Sequence, residues 1–292
     1  MPAIEPLVRT RRSTLLVTND DGVSSPGIQA LAASLASAGE DVVVVAPCDD
    51  MSGTSAAIGR LHPDAPVELV RTELAGAPGV PALGIRGGPA LAALAARLGA
   101  FGEPPDIVVS GVNAGLNTGH SVLHSGTVGA VLTAQNFGGS GLAVSLESSD
   151  PWHWETACAL AHVALGFLRR GPGRTALNVN VPAHAPGEVT ELAWAPLDRF
   201  GTVRAAVRTS SGPALQFEYR EAGADPEPGS DTALVAAGQA TITSLVGVEA
   251  VEPDARREPL RAVAREVHAG PPPEDTTEHE EVRLADFPEL TR

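Results

Sequence analysis

Short runs of β-branched and aliphatic residues alternate with longer segments rich in alanine and leucine over the first 180 residues. Residues 14–18 and 41–45 are apolar runs with the length of a buried strand, and the segment between them opens with Pro26 and Gly27 and stops before Gly39. Proline in the first turn and glycine just past the last are typical of a helix. This order predicts a βαβ unit, with two parallel strands and a right-handed crossover.

The alternation continues to about residue 181 and then stops. Further strands are expected at residues 67–70, 80–85, 106–110, 142–146 and 177–181. Further helices are expected at residues 88–98, 127–136 and 154–169, with a polar loop at residues 111–126. Short β-like segments follow at residues 189–194, 203–209, 215–219 and 241–246. The pattern predicts an α/β fold, a doubly wound and mostly parallel sheet followed by hairpins that suit association between subunits.

Composition narrows the classes of partner. The 292 residues carry a formal net charge of −15, which argues against binding to a nucleic-acid duplex or an anionic membrane, because both require basic patches. A small phosphorylated substrate remains compatible with this charge, because a bound cation can reverse the local field. Hydrophobic residues make up 43% of the chain and aromatic residues only 3%, so the core must consist mainly of Ala, Val and Leu.

The two ends and the cysteines indicate an ordinary soluble protein. Cys48 and Cys158 are far apart and predict neither a zinc site nor a disulfide framework. We find no pattern of a signal peptide or a membrane span, and therefore expect a cytoplasmic protein. Residues 1–13 are expected to form an N-terminal arm, and residues 251–292 a C-terminal segment whose Pro- and acid-rich part, 270–284, is a disordered tail.

Polar residues with oxygen donors follow three of the expected strands. Asp20 and Asp21 follow the first, Ser52 lies in the loop after the second, and Asn113 follows the strand at 106–110. In a doubly wound sheet the carboxyl ends of these strands converge on one edge, where ligands bind. Carboxylate, hydroxyl and amide oxygens suit a hard divalent cation. Taken alone, Asp20 and Asp21 fit equally well with an acidic turn that caps the next helix.

A Ser-Gly-Thr sequence precedes the helix expected at 127–136. Ser125, Gly126 and Thr127 would present backbone N–H groups and two hydroxyls to an anion, as helix N-termini do for phosphates. The plainer interpretation is helix capping by Ser125 or Thr127. A cation site beside an anion-binding helix end predicts hydrolysis of a phosphate ester.

These segments, with their order and spacing, resemble one known family. They are Leu-Val-Thr-Asn-Asp-Asp-Gly at 16–22 with Pro-Gly-Ile at 26–28, Ala-Pro at 46–47 with Ser-Gly at 52–53, Ser-Gly-Val-Asn-Ala-Gly-Leu-Asn at 110–117 and Ser-Gly-Thr-Val-Gly-Ala at 125–130. Later segments agree: Leu-Asn-Val-Asn-Val-Pro at 177–182, Ser-Asp-Thr at 230–232 and Ile-Thr at 242–243. From about residue 14 to 247 the chain is similar to the SurE family of metal-dependent nucleoside 5′/3′-monophosphate phosphatases.

The resemblance implies a fold, an assembly and a site. The fold is a Rossmann-like, three-layer α/β domain at residues 14–250, in which a hairpin extension at about 188–250 swaps between the subunits of a homodimer or homotetramer. One divalent metal ion, Mg²⁺ or Mn²⁺, is assigned to Asp20, Asp21, Ser52 and Asn113, of which Asp20, Asp21 and Asn113 are also the catalytic residues. The substrate phosphate is assigned to Asn19, Asn117, Ser125, Gly126 and Thr127.

The chain departs from the family pattern near the substrate. His124 stands where the family usually has Tyr, Thr133 lies where Glu-Gly is common, and residues 87–92 lack the usual Thr and Asp. No basic residue occurs at 48–51, where one is often found. Two alternatives to an ordinary nucleotidase therefore stay open: a phosphatase specific for a modified nucleotide or another small phosphate ester, and a non-catalytic protein that binds metal or anions. A dinucleotide oxidoreductase is not favoured, because no Gly-x-Gly-x-x-Gly follows the first strand.

Overall fold

The computed structural model of the chain describes residues 14–189, 191–201, 203–208, 216–221 and 225–249. In that part of the chain the strands are β1 (Leu15–Thr18), β2 (Val42–Pro47), β3 (Leu69–Thr72), β4 (Ala82–Ile85), β5 (Ile107–Ala114), β6 (Ser140–Leu146), β7 (Ala176–Val181), β8 (Leu192–Trp194), β9 (Val203–Arg208), β10 (Gln216–Glu221) and β11 (Ala240–Leu245). The helices are α1 (Pro26–Ser37), α2 (Pro89–Arg97), α3 (Gly126–Asn136), α4 (Trp154–Arg170) and α5 (Asp231–Ala236), with a 3₁₀ helix at Gly119–His124.

One mostly parallel sheet organises these elements, in the order β3-β4-β2-β1-β5-β6-β7-β11-β8. The six strands from β4 to β7 in this order are parallel, whereas β3 is antiparallel to β4 and β11 is antiparallel to β7. The chain runs outward from β1 in one direction through β2 and β4, and in the other through β5, β6 and β7. The predicted α/β class is confirmed, and the topological switch point, where such folds bind ligands, lies between β1 and β5.

Alternating strand residues supply a core on both faces of the sheet. Leu15 and Val17 of β1 share one apolar cluster with residues of α1 and α4, whereas Leu16 shares another with residues of α2 and α3. This is the pattern of strands buried on both faces, which read as continuous apolar runs. The helices α1 and α4 therefore form one outer layer and α2 and α3 the other.

The structure corrects the expected loop at residues 111–126. Strand β5 continues through Asn113 to Ala114, with an irregular register after Ser110, and the 3₁₀ helix occupies much of the rest. A β-carbon at Gly111 would collide with the carbonyl oxygen of Val144 on the neighbouring strand, so a glycine there permits close pairing. The segment is rich in Gly and Asn, which ordinarily mark turns, and the sequence therefore predicts a loop where the structure has a strand.

The hairpins expected after residue 188 are only partly correct. Strands β9 and β10 do form an antiparallel pair. Strands β8 and β11 instead join the main sheet, where β11 pairs with β7 on one side and with β8 on the other, and α5 at Asp231–Ala236 was not expected. Ile242 of β11 is buried in the same apolar cluster as β7, and this burial decides its place. The N-terminal arm at 1–13 and the segment at 251–292 lie outside the described residues, so those expectations stay predictions.

None of the helices within the described ranges is long and apolar enough to cross a membrane.

Replacing Leu142 by Ala is expected to lower the free energy of unfolding by about 3 kcal/mol, because the buried Leu142 lies on β6 between two paired strands. Leu98→Ala, at a side chain that is 69% exposed, is the matched control and should change stability by less than about 0.5 kcal/mol. Urea unfolding followed by circular dichroism at one protein concentration measures both. Equal losses in the two variants would contradict the assigned core.

Candidate active site

The carboxyl end of β1 carries the two acidic residues. Thr18 is in register with Ser110, so the ends of β1 and β5 lie side by side. The Asp20 side chain is buried, with 3% of the residue exposed, and Asp21 is half-buried. The loop after β2 lies against them, because the Met51 N–H donates to the main-chain oxygen of Asp20 over 2.7 Å. Three strand ends therefore meet at one point, as the sequence predicts.

The hydroxyl of Thr127 lies between Asp20 and Asn113 and donates its proton to Asp20. Thr127 Oγ1 donates to Asp20 Oδ1 at 2.5 Å and lies 3.4 Å from Asn113 Oδ1. The Asn113 amide nitrogen donates to the carbonyl oxygen of Gly115 at 2.7 Å, which turns its oxygen toward Thr127. The site therefore brings a carboxylate, an amide oxygen and the first turn of α3 together.

Asp21 lies beside this group, and no ion pair of its carboxylate occurs in the part of the chain that the structure describes. The pKa of its carboxyl is raised to about 6, chiefly by burial and then by the negative charges of Asp20 and Asp50, against a lowering by the Ala114 N–H. That N–H donates to Asp21 Oδ2 over 3.3 Å. A cation bound at this point would stabilise the charged form of the Asp21 carboxylate.

The donor set suits a hard divalent cation. Two carboxylates and an amide oxygen, from Asp20, Asp21 and Asn113, are the oxygen ligands that Mg²⁺ and similar ions take, with waters completing the shell. No group of three or more His, Cys, Asp and Glu side chains able to hold a metal occurs within the described ranges. Any metal site here therefore depends on neutral oxygens as well as on the two carboxylates.

Ser52 is less closely tied to this group. It is exposed, and both its N–H and its hydroxyl donate to Asp50 Oδ1, over 2.8 and 2.6 Å. These two bonds hold the pKa of the Asp50 carboxyl below its ordinary value. The Ser52 oxygen keeps lone pairs for a ligand, but its hydroxyl proton points to Asp50.

The predicted anion-binding segment forms the start of α3. Ser125 caps the helix, and its hydroxyl accepts from the Val128 N–H at 3.1 Å. Gly126 packs so closely that a β-carbon there would lie 2.8 Å from Asp20 Cβ. The first N–H groups of a helix have no partner within it, and they face an anion favourably. Capping and anion binding are compatible here, because the Ser125 hydroxyl takes only the Val128 N–H and leaves those of Gly126 and Thr127 for an anion.

Asn117 and Asn19 differ in exposure and in hydrogen-bond partner. Asn117 is half-buried after β5, and its amide donates to Ser145 Oγ over 2.9 Å. Asn19 has no exposed surface, and its amide donates to Ser25 Oγ over 2.7 Å. This places Asn19 under the loop that carries the carboxylates, where it orders Ser25 and α1.

Two of the places where the chain departs from the family pattern, His124 and the loop at 48–51, adjoin the site. His120 and His124 are exposed in or beside the 3₁₀ helix, and the His124 carbonyl oxygen accepts from the Ser55 N–H. Arg86, just after β4, pairs with Asp49 at 3.1 Å. A basic group from the next strand end thus binds the acidic loop at 48–51.

Several buried polar residues hold the segment between β5 and α3, and sequence reasoning gave them no role. Asn178 and Asn180 on β7 bind the main chain of Asn117. Asp231, at the start of α5, accepts from the Gly119 N–H at 2.9 Å. The signal for the first pair was available, since polar residues at a spacing of two in an apolar strand occupy one face. Asp231 stands in the Ser-Asp-Thr segment that matches the family, but its role could not be inferred from it, because its partners are distant in sequence.

Known proteins resemble this chain along most of its length. The model of the family described as Survival protein SurE matches residues 15–203. A protein named 5′-nucleotidase SurE from Xanthomonas campestris pv. campestris is 38% identical over 205 residues, which cover 69% of this chain and 73% of the relative. The protein of that name from Alkalilimnicola ehrlichii is 34% identical over 244 residues, or 79% of this chain and 88% of the relative.

A solved structure agrees with the sequence relatives. The crystal structure of the SurE protein from Aquifex aeolicus has a TM-score of 0.64 and 25% identity, and the match covers 87% of this chain and 99% of that one. The fold, the strand-end motifs and the relatives lead to the same conclusion: this chain belongs to the SurE family.

Proposed function

We propose that this protein is a metal-dependent phosphomonoesterase that hydrolyses nucleoside 5′- and 3′-monophosphates to nucleoside and phosphate. The relatives named 5′-nucleotidase support the reaction class. The observation that carries the proposal is the position of the Thr127 hydroxyl, which donates to Asp20 and lies 3.4 Å from the Asn113 amide oxygen, at the first turn of α3. Oxygen ligands for a cation and N–H donors for an anion lie together there, as hydrolysis of a phosphate ester requires.

Asp20, Asp21 and Asn113, with Ser52, would hold one divalent ion, Mg²⁺ or Mn²⁺. When bound, the ion supplies polarisation of the phosphoryl group and activation of a water. Asp20 is the anchor of this set, because it is buried and fixed by Thr127. Asp21 adds the second negative charge from the more open side of the turn.

The chain itself positions the phosphoryl group. We assign the equatorial oxygens to the N–H groups at the start of α3, with Ser125, Thr127 and Asn117, and the helix dipole favours the dianion. Thr127 takes part through its N–H, because its hydroxyl proton is donated to Asp20. Water attacks phosphorus in line with the ester bond. A new P–O bond forms from the water oxygen and the bond to the ribose oxygen breaks; the attacking water gives up one proton, and the ribose oxygen takes up one, so that nucleoside and phosphate are released. No residue of the chain needs to form a covalent bond to phosphorus.

Metal removal tests the proposal. Dialysis against EDTA is expected to abolish phosphate release from nucleoside monophosphates, because the carboxylates lose the ion that links them to the substrate. Addition of Mg²⁺ or Mn²⁺ should restore the rate. EDTA preloaded with an equimolar amount of Mg²⁺ is the control and should leave the rate unchanged. Full activity in free EDTA would falsify metal dependence.

The acidic loop supports a second candidate, a phosphatase selective for a modified nucleotide or another small phosphate ester. Asp50 bonds with Ser52 and adds a negative charge near Asp21, where the family often has a basic residue. A panel of nucleoside monophosphates and sugar phosphates separates the candidates: uniformly poor rates on common nucleotides with a high rate on one other ester favour selectivity. Metal binding without turnover of any ester would favour the non-catalytic alternative.

The proposal extends to the assembled protein, which we expect to be a cytoplasmic homodimer or homotetramer. The family resemblance supports the assembly, and the antiparallel pair β9–β10 is the hairpin that would take part in it. Light scattering behind size exclusion measures the subunit number. Fractionation of cells that produce the full chain tests the location.

A further inference from the structure

One face of strand β7 is polar although it is buried. Leu177, Val179 and Val181 point into the apolar core shared with α1 and α4, whereas Asn178 and Asn180, on the opposite face, have no exposed surface. Burying an amide costs free energy unless it is hydrogen-bonded. Two amides at alternate positions of a buried strand therefore indicate a specific hydrogen-bonding partner on that face of the sheet.

The partner is the main chain of Asn117, in the segment between β5 and the 3₁₀ helix. The Asn117 N–H donates to Asn180 Oδ1 over 2.8 Å. Its carbonyl oxygen accepts from Asn180 Nδ2 at 2.9 Å and from Asn178 Nδ2 at 2.8 Å. The Asn180 amide therefore binds both polar groups of one residue, as a neighbouring strand would.

The side chain of Asn117 is oriented as well. Its amide nitrogen donates to Ser145 Oγ over 2.9 Å, and Ser145 is in register with Asn180 on the neighbouring strand. Ser145 has no exposed surface either. Three buried side chains of β6 and β7 thus fix both the backbone and the amide of the half-buried residue that is predicted to contact phosphate.

We infer that Asn180 is a positioning residue of the reaction, which holds Asn117 in the orientation that binds the substrate phosphate. This inference rests on the proposed function. Asn180 is bonded to Asn117 and not to Asp20 or Asn113, so it acts on the phosphate side of the site. Because phosphate oxygens are held both in the bound substrate and in the transition state, loss of this positioning weakens binding more than it slows the chemical step.

Asn180→Ala tests the inference. We expect KM for a nucleoside monophosphate and the inhibition constant of inorganic phosphate to rise by about tenfold each, with kcat lowered by less than about threefold. Binding of Mn²⁺ alone, followed by electron paramagnetic resonance, should match the wild type. Thr241→Val is the matched control, because Thr241 is in register with Asn180 on β11, is equally buried, and its hydroxyl has no hydrogen-bond partner among the described residues. The control should have the wild-type KM and the wild-type inhibition constant for phosphate.

Several outcomes would overturn the inference. A lowered melting temperature with unchanged KM and phosphate inhibition would make Asn180 purely structural, and weaker Mn²⁺ binding would place its effect on the metal side. If Asn180→Ala does not fold, Ser145→Ala removes a single acceptor of the Asn117 amide and should raise the same two constants by about threefold. Unchanged constants in that variant would also overturn it.

Failure of the proposed function is a separate result. A wild-type protein that hydrolyses no nucleoside monophosphate would refute that function. Calorimetric titration of inorganic phosphate into the Mn²⁺-loaded protein would still decide the role of Asn180, by the difference between wild type and Asn180→Ala. Equal phosphate affinities, or no phosphate binding by the wild type, would overturn the positioning role.

Discussion

Asp20→Asn is expected to reduce kcat/KM for nucleoside monophosphates by at least about 10³-fold. Changes to the partners that orient metal ligands typically cost about 10- to 100-fold, and loss of a charged ligand should cost more. The substitution keeps the shape of the side chain, and its Oδ1 can still accept from Thr127. The loss should therefore come from the missing charge and not from a displaced loop.

Stability distinguishes this explanation from misfolding. Asp20 and Asp21 repel one another, which contributes to the raised pKa of Asp21. The metal-free Asp20→Asn protein should therefore melt at or above the temperature of the metal-free wild type, as is common where an active site is strained for function. Differential scanning calorimetry after EDTA treatment measures this. Added Mn²⁺ should raise the melting temperature of the wild type and much less that of the variant.

Asp41→Asn is the matched control for this substitution. Asp41 directly precedes β2, at the amino-terminal end of the strand and so at the opposite end from the site. There it accepts from the Thr14 hydroxyl. It should leave kcat/KM and Mn²⁺ binding at their wild-type values. Substantial turnover by Asp20→Asn, or equal losses in the two variants, would be inconsistent with a cation site centred on Asp20.

The elements of the α/β core could be predicted because their signals are local. The runs around β1 and β2 and the Pro-Gly start of α1 define a βαβ unit without reference to the rest of the chain. The convergence of Asp20, Ser52 and Asn113 then follows from topology, since parallel strands place their carboxyl ends on one edge. The structure brings Asp20, Asp21 and Asn113 together and leaves Ser52 bonded to Asp50.

Elements fixed by distant contacts could not be predicted in the same way. The strand character of Asn113 depends on pairing with Ser145, 32 positions later, against the turn preference of its own sequence. The sequence of β11 is typical of one strand of a hairpin. The strand nevertheless pairs with β7 in the main sheet, where Ile242 is buried in the same apolar cluster. Asp231 likewise acts through Gly119, 112 positions earlier. Local propensity carries no information about such partners.

Gly126→Ala is expected to lower kcat/KM by about 10²-fold without removing any polar group. The added β-carbon would lie 2.8 Å from both Cβ and Oδ2 of Asp20, and Oδ1 of Asp20 is already held by the hydroxyl of the next residue, Thr127. Either Asp20 or the first turn of α3 must shift, and a displacement of a fraction of an ångström to 1 Å at a reacting centre can cost about 10²-fold. Steady-state kinetics and Mn²⁺ titration measure the effect.

The control for Gly126→Ala is the same substitution within another helix. Gly166 lies inside α4, where a β-carbon would meet only the flexible end of Arg170. Because Ala favours helices over Gly by about 1 kcal/mol, Gly166→Ala should raise stability and leave activity unchanged. Gly126 is the first residue of α3, and a fall in the activity of Gly126→Ala is expected from the close contact with Asp20, through a shift of either Asp20 or the first turn of the helix. Wild-type kinetics in Gly126→Ala would mean that the start of α3 need not touch Asp20, and the joint cation and anion site would have to be abandoned.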